Sequence, residues 1–190
     1  MTKIFSISLE DQLSLRIEQE LSRTMDNIIP TIQLLAKEFG IATLDKKSPF
    51  RNILAVSVET GSSLEVIKNY IRYQVGRSGA SPIWKHKSGG RLFAEALVEQ
   101  INSLSKNVTE VLDQVKSEIS KEHELVDYLH DRQSRVMQDL HLKMTQKYLG
   151  YLAREHTALV GLDKQNNDSE NKGKQHNSSS KKVNYKRSSL

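Results

Sequence analysis

The sequence contains no cysteine, only three prolines among 190 residues, and few aromatic side chains, which make up 6% of the chain. Without cysteine, the protein cannot form a disulfide scaffold, a thiolate zinc site or a cysteine nucleophile. Nine glycines and three prolines are also too few for a turn-rich all-β protein. These absences favour a helical protein and exclude several classes of catalytic site.

Long apolar segments are also missing. No stretch approaches the roughly 20 apolar residues of a membrane-spanning helix. Residues 1–9 contain one lysine and lack the apolar centre of a signal peptide. We therefore expect a cytoplasmic protein without a membrane partner.

Carboxylates are absent from one long part of the chain. Residues 66–94, called the basic segment below, hold six basic side chains and no acidic one, whereas residues 1–65 and 95–162 have a small acidic excess. The net charge of +5 therefore comes from the basic segment and from residues 163–190, with seven basic and three acidic residues. Such a concentration of positive charge predicts an anionic partner.

Helical periodicity dominates the N-terminal part of the chain. Ser8 has the position of an N-cap, with Asp11 three residues later, for a helix over residues 8–28. Pro30 interrupts the apolar pattern and should either kink this helix or start a new one. Gly40 is expected to end the segment.

Start signals mark the next two helices. After a short loop at residues 41–47, Ser48 and Pro49 supply a cap and a first-turn proline. Residues 53–58 are rich in β-branched side chains and would fit a strand, but the proline before them and the glycine after them favour a helix. Ser62 and Glu65 then form a capping box that begins a helix ending near residue 75.

The connection at residues 76–90 is the one substantial loop, and it holds four of the nine glycines and the only tryptophan. From Arg91 to residue 160 the helical pattern continues without a proline. Polar residues cluster in the middle of this stretch, so we expect two long antiparallel helices with a turn near residues 119–124. A single continuous helix is the alternative.

Residues 163–190 are almost entirely polar and should be disordered, because they bury too little apolar surface to offset the entropy of ordering. The predicted fold is therefore an all-α helical bundle over residues 1–162, followed by a disordered basic tail. The tail either adds unspecific affinity for anions or only solubilises the protein. Its basic residues around Tyr185 are Lys181, Lys182, Lys186 and Arg187.

The basic segment combines positive charge, glycines and aromatic rings, which is typical of a nucleic-acid contact. Guanidinium and ammonium groups neutralise phosphates, and aromatic faces stack on unpaired bases. In this interpretation Tyr73 and Trp84 stack and the basic residues bind phosphate. The alternative is a surface loop whose tryptophan packs onto the bundle while its charges stay solvated. The predicted binding residues are Lys68, Arg72, Tyr73, Arg77, Trp84, Lys85, Lys87 and Arg91.

Signals for catalysis are weak. The basic segment lacks the spacing of a Walker phosphate loop, and no Gly-x-Ser-x-Gly elbow occurs. Asp127 and His130 lie one helical turn apart, with His123 on the same face, but one such pair does not make a metal site. We therefore expect no enzyme, no metal or other cofactor, and no small-molecule substrate.

Two short segments carry a resemblance to a known family. They are residues 48–52 (Ser-Pro-Phe-Arg-Asn), which open one helix, and residues 69–77 (Asn-Tyr-Ile-Arg-Tyr-Gln-Val-Gly-Arg), which close the next. In architecture, residues 48–160 resemble the small helical subunits of type III CRISPR-Cas effector complexes. Members of that family line a ribonucleoprotein filament and contact nucleic acid through its backbone. The resemblance implies that the arginines of both segments face nucleic acid.

The sequence thus predicts a non-enzymatic helical subunit that binds the backbone of RNA or single-stranded DNA. Residues 92–152 would dock onto other protein subunits or onto a second copy. The alternative is a scaffold that self-associates through these residues without binding nucleic acid. A metal-dependent hydrolase using Asp127 and His130 is a third and weaker hypothesis.

Overall fold

The computed structural model describes residues 7–45, 47–120 and 123–184, with the side chains of these residues as far as Gln165. Helices dominate this part of the chain, and the predicted all-α fold is confirmed. They are α1 (Leu9–Glu38), α2 (Ile41–Leu44), α3 (Phe50–Val58), α4 (Leu64–Gly76), α5 (Phe93–Ser117) and α6 (Glu124–Asn184). Between α4 and α5 lie a 3-10 helix (Pro82–Lys85) and an antiparallel hairpin of β1 (Lys87–Ser88) and β2 (Arg91–Leu92).

The three long helices α1, α5 and α6 pack together, and the short elements cover one end of them. Helices α5 and α6 are antiparallel. Lys116 near the end of α5 donates a hydrogen bond to Gln133, and His141 of α6 lies 2.7 Å from the carbonyl oxygen of Ile101. The prediction of two long helices with a turn near residues 119–124 is confirmed over the described residues.

Helix α1 begins and ends as predicted, but Pro30 does not divide it. The Ser8 hydroxyl accepts a hydrogen bond of 3.1 Å from the backbone N–H of Asp11, and Gly40 follows the helix with a positive φ of 52°. Pro30 is exposed, so water can satisfy the carbonyl that its missing N–H leaves unpaired. The buried Ile28 and Ile32 hold the apolar face together across it.

The predicted loop at residues 41–47 is partly wrong, because its first four residues form α2. The left-handed Gly40 reverses the chain and accepts the first hydrogen bond of this turn from Thr43. Ser48 is not a cap either: Pro49 occupies the N-cap position of α3, and no side chain caps it. Residues 53–58 are helical, as the sequence favoured.

Helix α4 starts one residue later than predicted. Ser63, and not Ser62, is the N-cap, and its hydroxyl accepts a hydrogen bond of 3.3 Å from the N–H of Val66. Gly61 provides the reason, because its φ of 81° completes the preceding turn and leaves Ser63 extended. The Ser62 hydroxyl is buried and has no hydrogen-bond partner among the described residues.

The backbone of α6 extends to Asn184, into the tail for which the sequence predicts disorder. The chain contains no proline after Pro82, and extending a helix costs no new nucleation. Residues 185–190 lie outside the described part. Within that part, no helix combines the length and the apolar character that crossing a membrane requires.

Candidate nucleic-acid interface

The predicted binding residues lie on four consecutive elements. Helix α4 carries Lys68, Arg72 and Tyr73, and Arg77 follows its last residue. Trp84 and Lys85 belong to the 3-10 helix, and the hairpin carries Lys87 and Arg91. Gly89 and Gly90 both have positive φ, as a two-residue hairpin turn requires. The loop predicted at residues 76–90 is therefore an ordered connection for much of its length.

Trp84 is buried and cannot stack on a base. Its side chain is 2% exposed, and its ring lies edge-on to Phe50 and tilted against Phe93, with centroids 5.9 Å away in both cases. The 3-10 turn directs Ile83 and Trp84 into the bundle. The predicted stacking role of Trp84 is therefore wrong, and the alternative, a tryptophan packed onto the bundle, describes this residue correctly.

Two of the six cations of the basic segment are paired with carboxylates. Arg91 forms ion pairs with Glu99 of α5 at 2.7 Å and with Glu38 of α1 at 3.4 Å. Lys68 pairs with Glu65, and its side chain is only 14% exposed. The hydrogen bond from Lys68 is also the main cause that lowers the pKa of Glu65. These two cations contribute little to a positive surface.

The other four cations, Arg72, Arg77, Lys85 and Lys87, are exposed. Among the described residues, none of the four has a carboxylate oxygen within 4 Å, so none forms an ion pair there. Arg72 acts on Glu65 only at longer range, where it helps to lower the pKa of that carboxyl. These groups remain available to an external anion.

An exposed aromatic ring accompanies these four cations. Tyr73 is 57% exposed and neighbours Arg72 in the sequence of α4. The ring of Tyr70 lies 6.4 Å from that of Tyr73, at an angle of 52°. Tyr73 therefore presents a ring face at the surface where a base could stack.

A groove of about 440 Å³ lies between α4 and α5, beside Arg72. Apolar side chains of Ile71, Val75 and Val98 line it, and the acidic residues Glu95 and Glu99 of α5 contribute to its wall. The basic segment has no acidic residue in sequence, but the fold brings two carboxylates of α5 next to it. The sequence does not predict this groove, because the local pattern of neither helix shows that α5 packs beside α4.

A buried histidine ties the basic segment to α6. His156 is 1% exposed, and its Nε2 lies 3.0 Å from the carbonyl oxygen of Asp45. The carboxylate of Asp45 in turn accepts a hydrogen bond from Ser81, the N-cap of the 3-10 helix. Burial is the main cause that lowers the pKa of His156. This chain of contacts fixes the position of the 3-10 helix that carries Lys85.

One histidine near the α5–α6 turn, His123, has a structural contact. His123 accepts a hydrogen bond of 3.1 Å from the N–H of Leu125 and so caps the start of α6. Among the side chains that the structure describes, which end at Gln165, no three histidines or carboxylates are grouped closely enough to hold a metal ion. Asp127 and His130 thus have no further ligand beside them in that part of the chain.

The basic residues of the tail lie beyond what the structure describes of side chains. Lys181 and Lys182 belong to the helical backbone of α6, and Tyr185, Lys186 and Arg187 lie outside the described residues.

The chain matches no protein-family model, no curated protein and no solved structure.

Proposed function

We propose that this protein is a non-enzymatic subunit of a ribonucleoprotein assembly. It binds the sugar-phosphate backbone of single-stranded RNA or DNA. The observation that carries this proposal is the set of four exposed cations without an ion pair among the described residues, next to an exposed tyrosine. Arg72, Arg77, Lys85 and Lys87 bind phosphates, and Tyr73 stacks on a base. Trp84, Lys68 and Arg91 have structural roles.

Binding of this kind depends steeply on salt. Each phosphate that is neutralised on a single strand releases about 0.7 of a counterion, so four contacts give a slope of roughly −3 for log affinity against log salt concentration. Stacking of Tyr73 adds affinity that salt hardly changes. Sequence preference from the backbone contacts themselves is small, because phosphates carry no sequence information.

The test replaces Arg72, Arg77 and Lys87 together by alanine and titrates a single-stranded RNA by gel shift or fluorescence anisotropy. We expect binding at 100 mM salt to be abolished and the helical circular dichroism to stay the same. The matched control removes three exposed cations of α6, Arg135, Arg154 and Lys164, and should bind nearly as tightly as the wild type. Equal loss of affinity in both variants, or unchanged binding in the first, contradicts the proposal.

Within this function, a small subunit of a type III CRISPR-Cas effector complex is the assembly that the resemblance favours. Arg51, Arg72 and Arg77, the arginines of the two resembling segments, are all exposed, which supports this proposal. Purification of the protein from its native host, followed by identification of bound RNA and proteins, tests it. Guide RNA and effector subunits in the eluate support the assignment, and their absence contradicts it.

The alternative is a scaffold that self-associates through residues 92–152. Many apolar residues of α5 in this range, including Ile101, Val108 and Leu112, are buried inside the same chain. The described surface therefore gives no particular support to self-association. Light scattering separates the two proposals, because a stable oligomer without affinity for RNA or single-stranded DNA favours the scaffold.

A further inference from the structure

The groove between α4 and α5 adjoins the cations that we propose bind phosphate, and it has the features of a small-molecule site. Its volume of about 440 Å³ lies within the range of roughly 300–1,000 Å³ in which proteins bind small organic groups. Ile71, Val75 and Val98 give it apolar lining, and Arg72 also lines it. The same arginine that is exposed to solvent can therefore reach a group inside the groove.

Besides Arg72, two acidic residues of α5 that accept hydrogen bonds line the groove. Glu95 and Glu99 lie four residues apart on α5 and so share one helix face. One oxygen of Glu95 accepts a hydrogen bond of 3.1 Å from the N–H of Leu92, and one oxygen of Glu99 binds Arg91. A carboxylate has about four acceptor sites, so both groups keep acceptors for a ligand.

We propose that this groove holds one unpaired guanine base of the bound strand, with Glu95 or Glu99 accepting hydrogen bonds from its Watson–Crick edge. The inference rests on the proposed function, because the backbone of the strand must first lie along Arg72 and Arg77. The groove would give a preference for one base to a surface that otherwise contacts only phosphates.

Guanine is the base whose Watson–Crick edge fits a carboxylate best. Its N1–H and N2–H₂ groups are adjacent donors, and a carboxylate accepts both with its two oxygens. Uracil has one donor, N3–H, between two carbonyl oxygens that a carboxylate repels. Adenine and cytosine each place an acceptor nitrogen beside their amino group, so neither offers two adjacent donors.

The other walls suit a flat ring. Apolar side chains contact the base faces, and the planar guanidinium of Arg72 can stack on the base. The carboxylates also repel phosphates, so they weaken the binding of every strand that does not place a suitable base in the groove. Such a combination of repulsion and specific contact produces selectivity.

The experiment uses the full chain and four RNA 12-mers, an oligouridylate and its versions with one central guanine, adenine or cytosine. We expect the guanine RNA to bind about tenfold more tightly than oligouridylate, within the range for a bidentate contact to a base. In the Glu95→Gln, Glu99→Gln double variant this preference should fall below twofold. Affinity for the three RNAs without guanine should rise, because two negative charges are removed.

Two further variants control the interpretation. Glu110→Gln removes an exposed carboxylate of α5 outside the groove and should leave the guanine preference unchanged. Arg72→Lys keeps the positive charge but loses the planar group, so we expect it to reduce the guanine preference more than the affinity for oligouridylate. Circular dichroism checks that all variants stay helical.

Equal affinity for the four RNAs overturns this inference and leaves the groove to another occupant, such as a protein helix, while the proposed function stands. A guanine preference that persists in the double variant also overturns it, because another surface then reads the base. Absence of binding to all four RNAs contradicts the proposed function itself.

Discussion

At the scale of single residues, burial decides which polar and aromatic groups face solvent. His156 and Trp84 both contact Phe50 in the interior, with ring centroids 5.8 and 5.9 Å away. The residues next to them in sequence show no pattern that predicts burial for either one. Both roles depend on which helices meet at this point.

His156 should make the stability of the protein depend on pH. Its pKa in the folded state lies below the ordinary value of 6.5, so the unfolded chain binds the proton more readily. The contribution of this group is therefore complete above about pH 6.5 and decreases as the pH falls below that value. We expect urea unfolding at pH 5 and pH 8 to give a larger loss of stability for the wild type than for His156→Gln.

This comparison isolates one histidine, because the two proteins differ only at position 156. Glutamine keeps a donor for the carbonyl of Asp45 but carries no titratable group. An identical dependence on pH in the two proteins would show that His156 is not protonated on unfolding in this range.

Trp84 gives a fluorescence signal that distinguishes packing from base stacking. Because it is the only tryptophan and is 2% exposed, its emission should be that of an apolar environment and should not shift when RNA is added. Trp84→Ala should cost about 3–5 kcal/mol of unfolding free energy in urea titrations. Strong quenching of the emission by saturating RNA, without a change in fold, is the result that contradicts this assignment.

At the scale of elements, the sequence located the helices well and their first residues less well. Apolar spacing predicted α1, α3 and α4, because a helix face repeats at short range and is visible without tertiary information. The capping serine of α4 was misplaced by one residue. Serine is a good N-cap at either position, and the turn that Gly61 forms with its positive φ places Ser63 at the N-cap.

The two serines offer a matched pair of substitutions. Ser63→Ala removes the hydrogen bond to the N–H of Val66 and should lower the unfolding free energy by about 1 kcal/mol. Ser62→Ala removes a buried hydroxyl that has no partner among the described residues, so it should be neutral or slightly stabilising. Guanidinium unfolding followed by circular dichroism measures both. If Ser62→Ala lowered the unfolding free energy more than Ser63→Ala, Ser62 would be the N-cap, as the sequence predicts.

At the scale of the whole molecule, the fold redistributes the charges that the sequence lists in order. The basic segment is acid-free along the chain, but α1 and α5 supply Glu38, Glu95 and Glu99 to its surroundings. Four of its six cations form no ion pair in the described part of the molecule. The positive surface is therefore smaller than the composition predicts, and it is confined to Arg72, Arg77, Lys85 and Lys87.

The tail should contribute charge to binding but little to stability. The last core contact of α6 in the described side chains is Leu159, and residues 163–190 have a net charge of +4. A chain ending at Leu162 should unfold within about 0.5 kcal/mol of the full chain, the range typical of surface changes. It should still bind single-stranded RNA, with a shallower salt dependence. Complete loss of RNA binding on truncation would show that the tail, and not the basic segment, binds RNA.

The sequence by itself determined the helical class and the place of highest positive charge, and it favoured two long antiparallel C-terminal helices over a single continuous one. Those properties follow from periodicity, helix breakers and charge order, which act between residues close in the chain. Only the tertiary structure decided that Trp84 is core, that Arg91 and Lys68 are paired, and that a groove with two carboxylates adjoins Arg72. Each of these depends on contacts between helices far apart in sequence, and the free energy of such contacts is set by packing and burial rather than by local pattern.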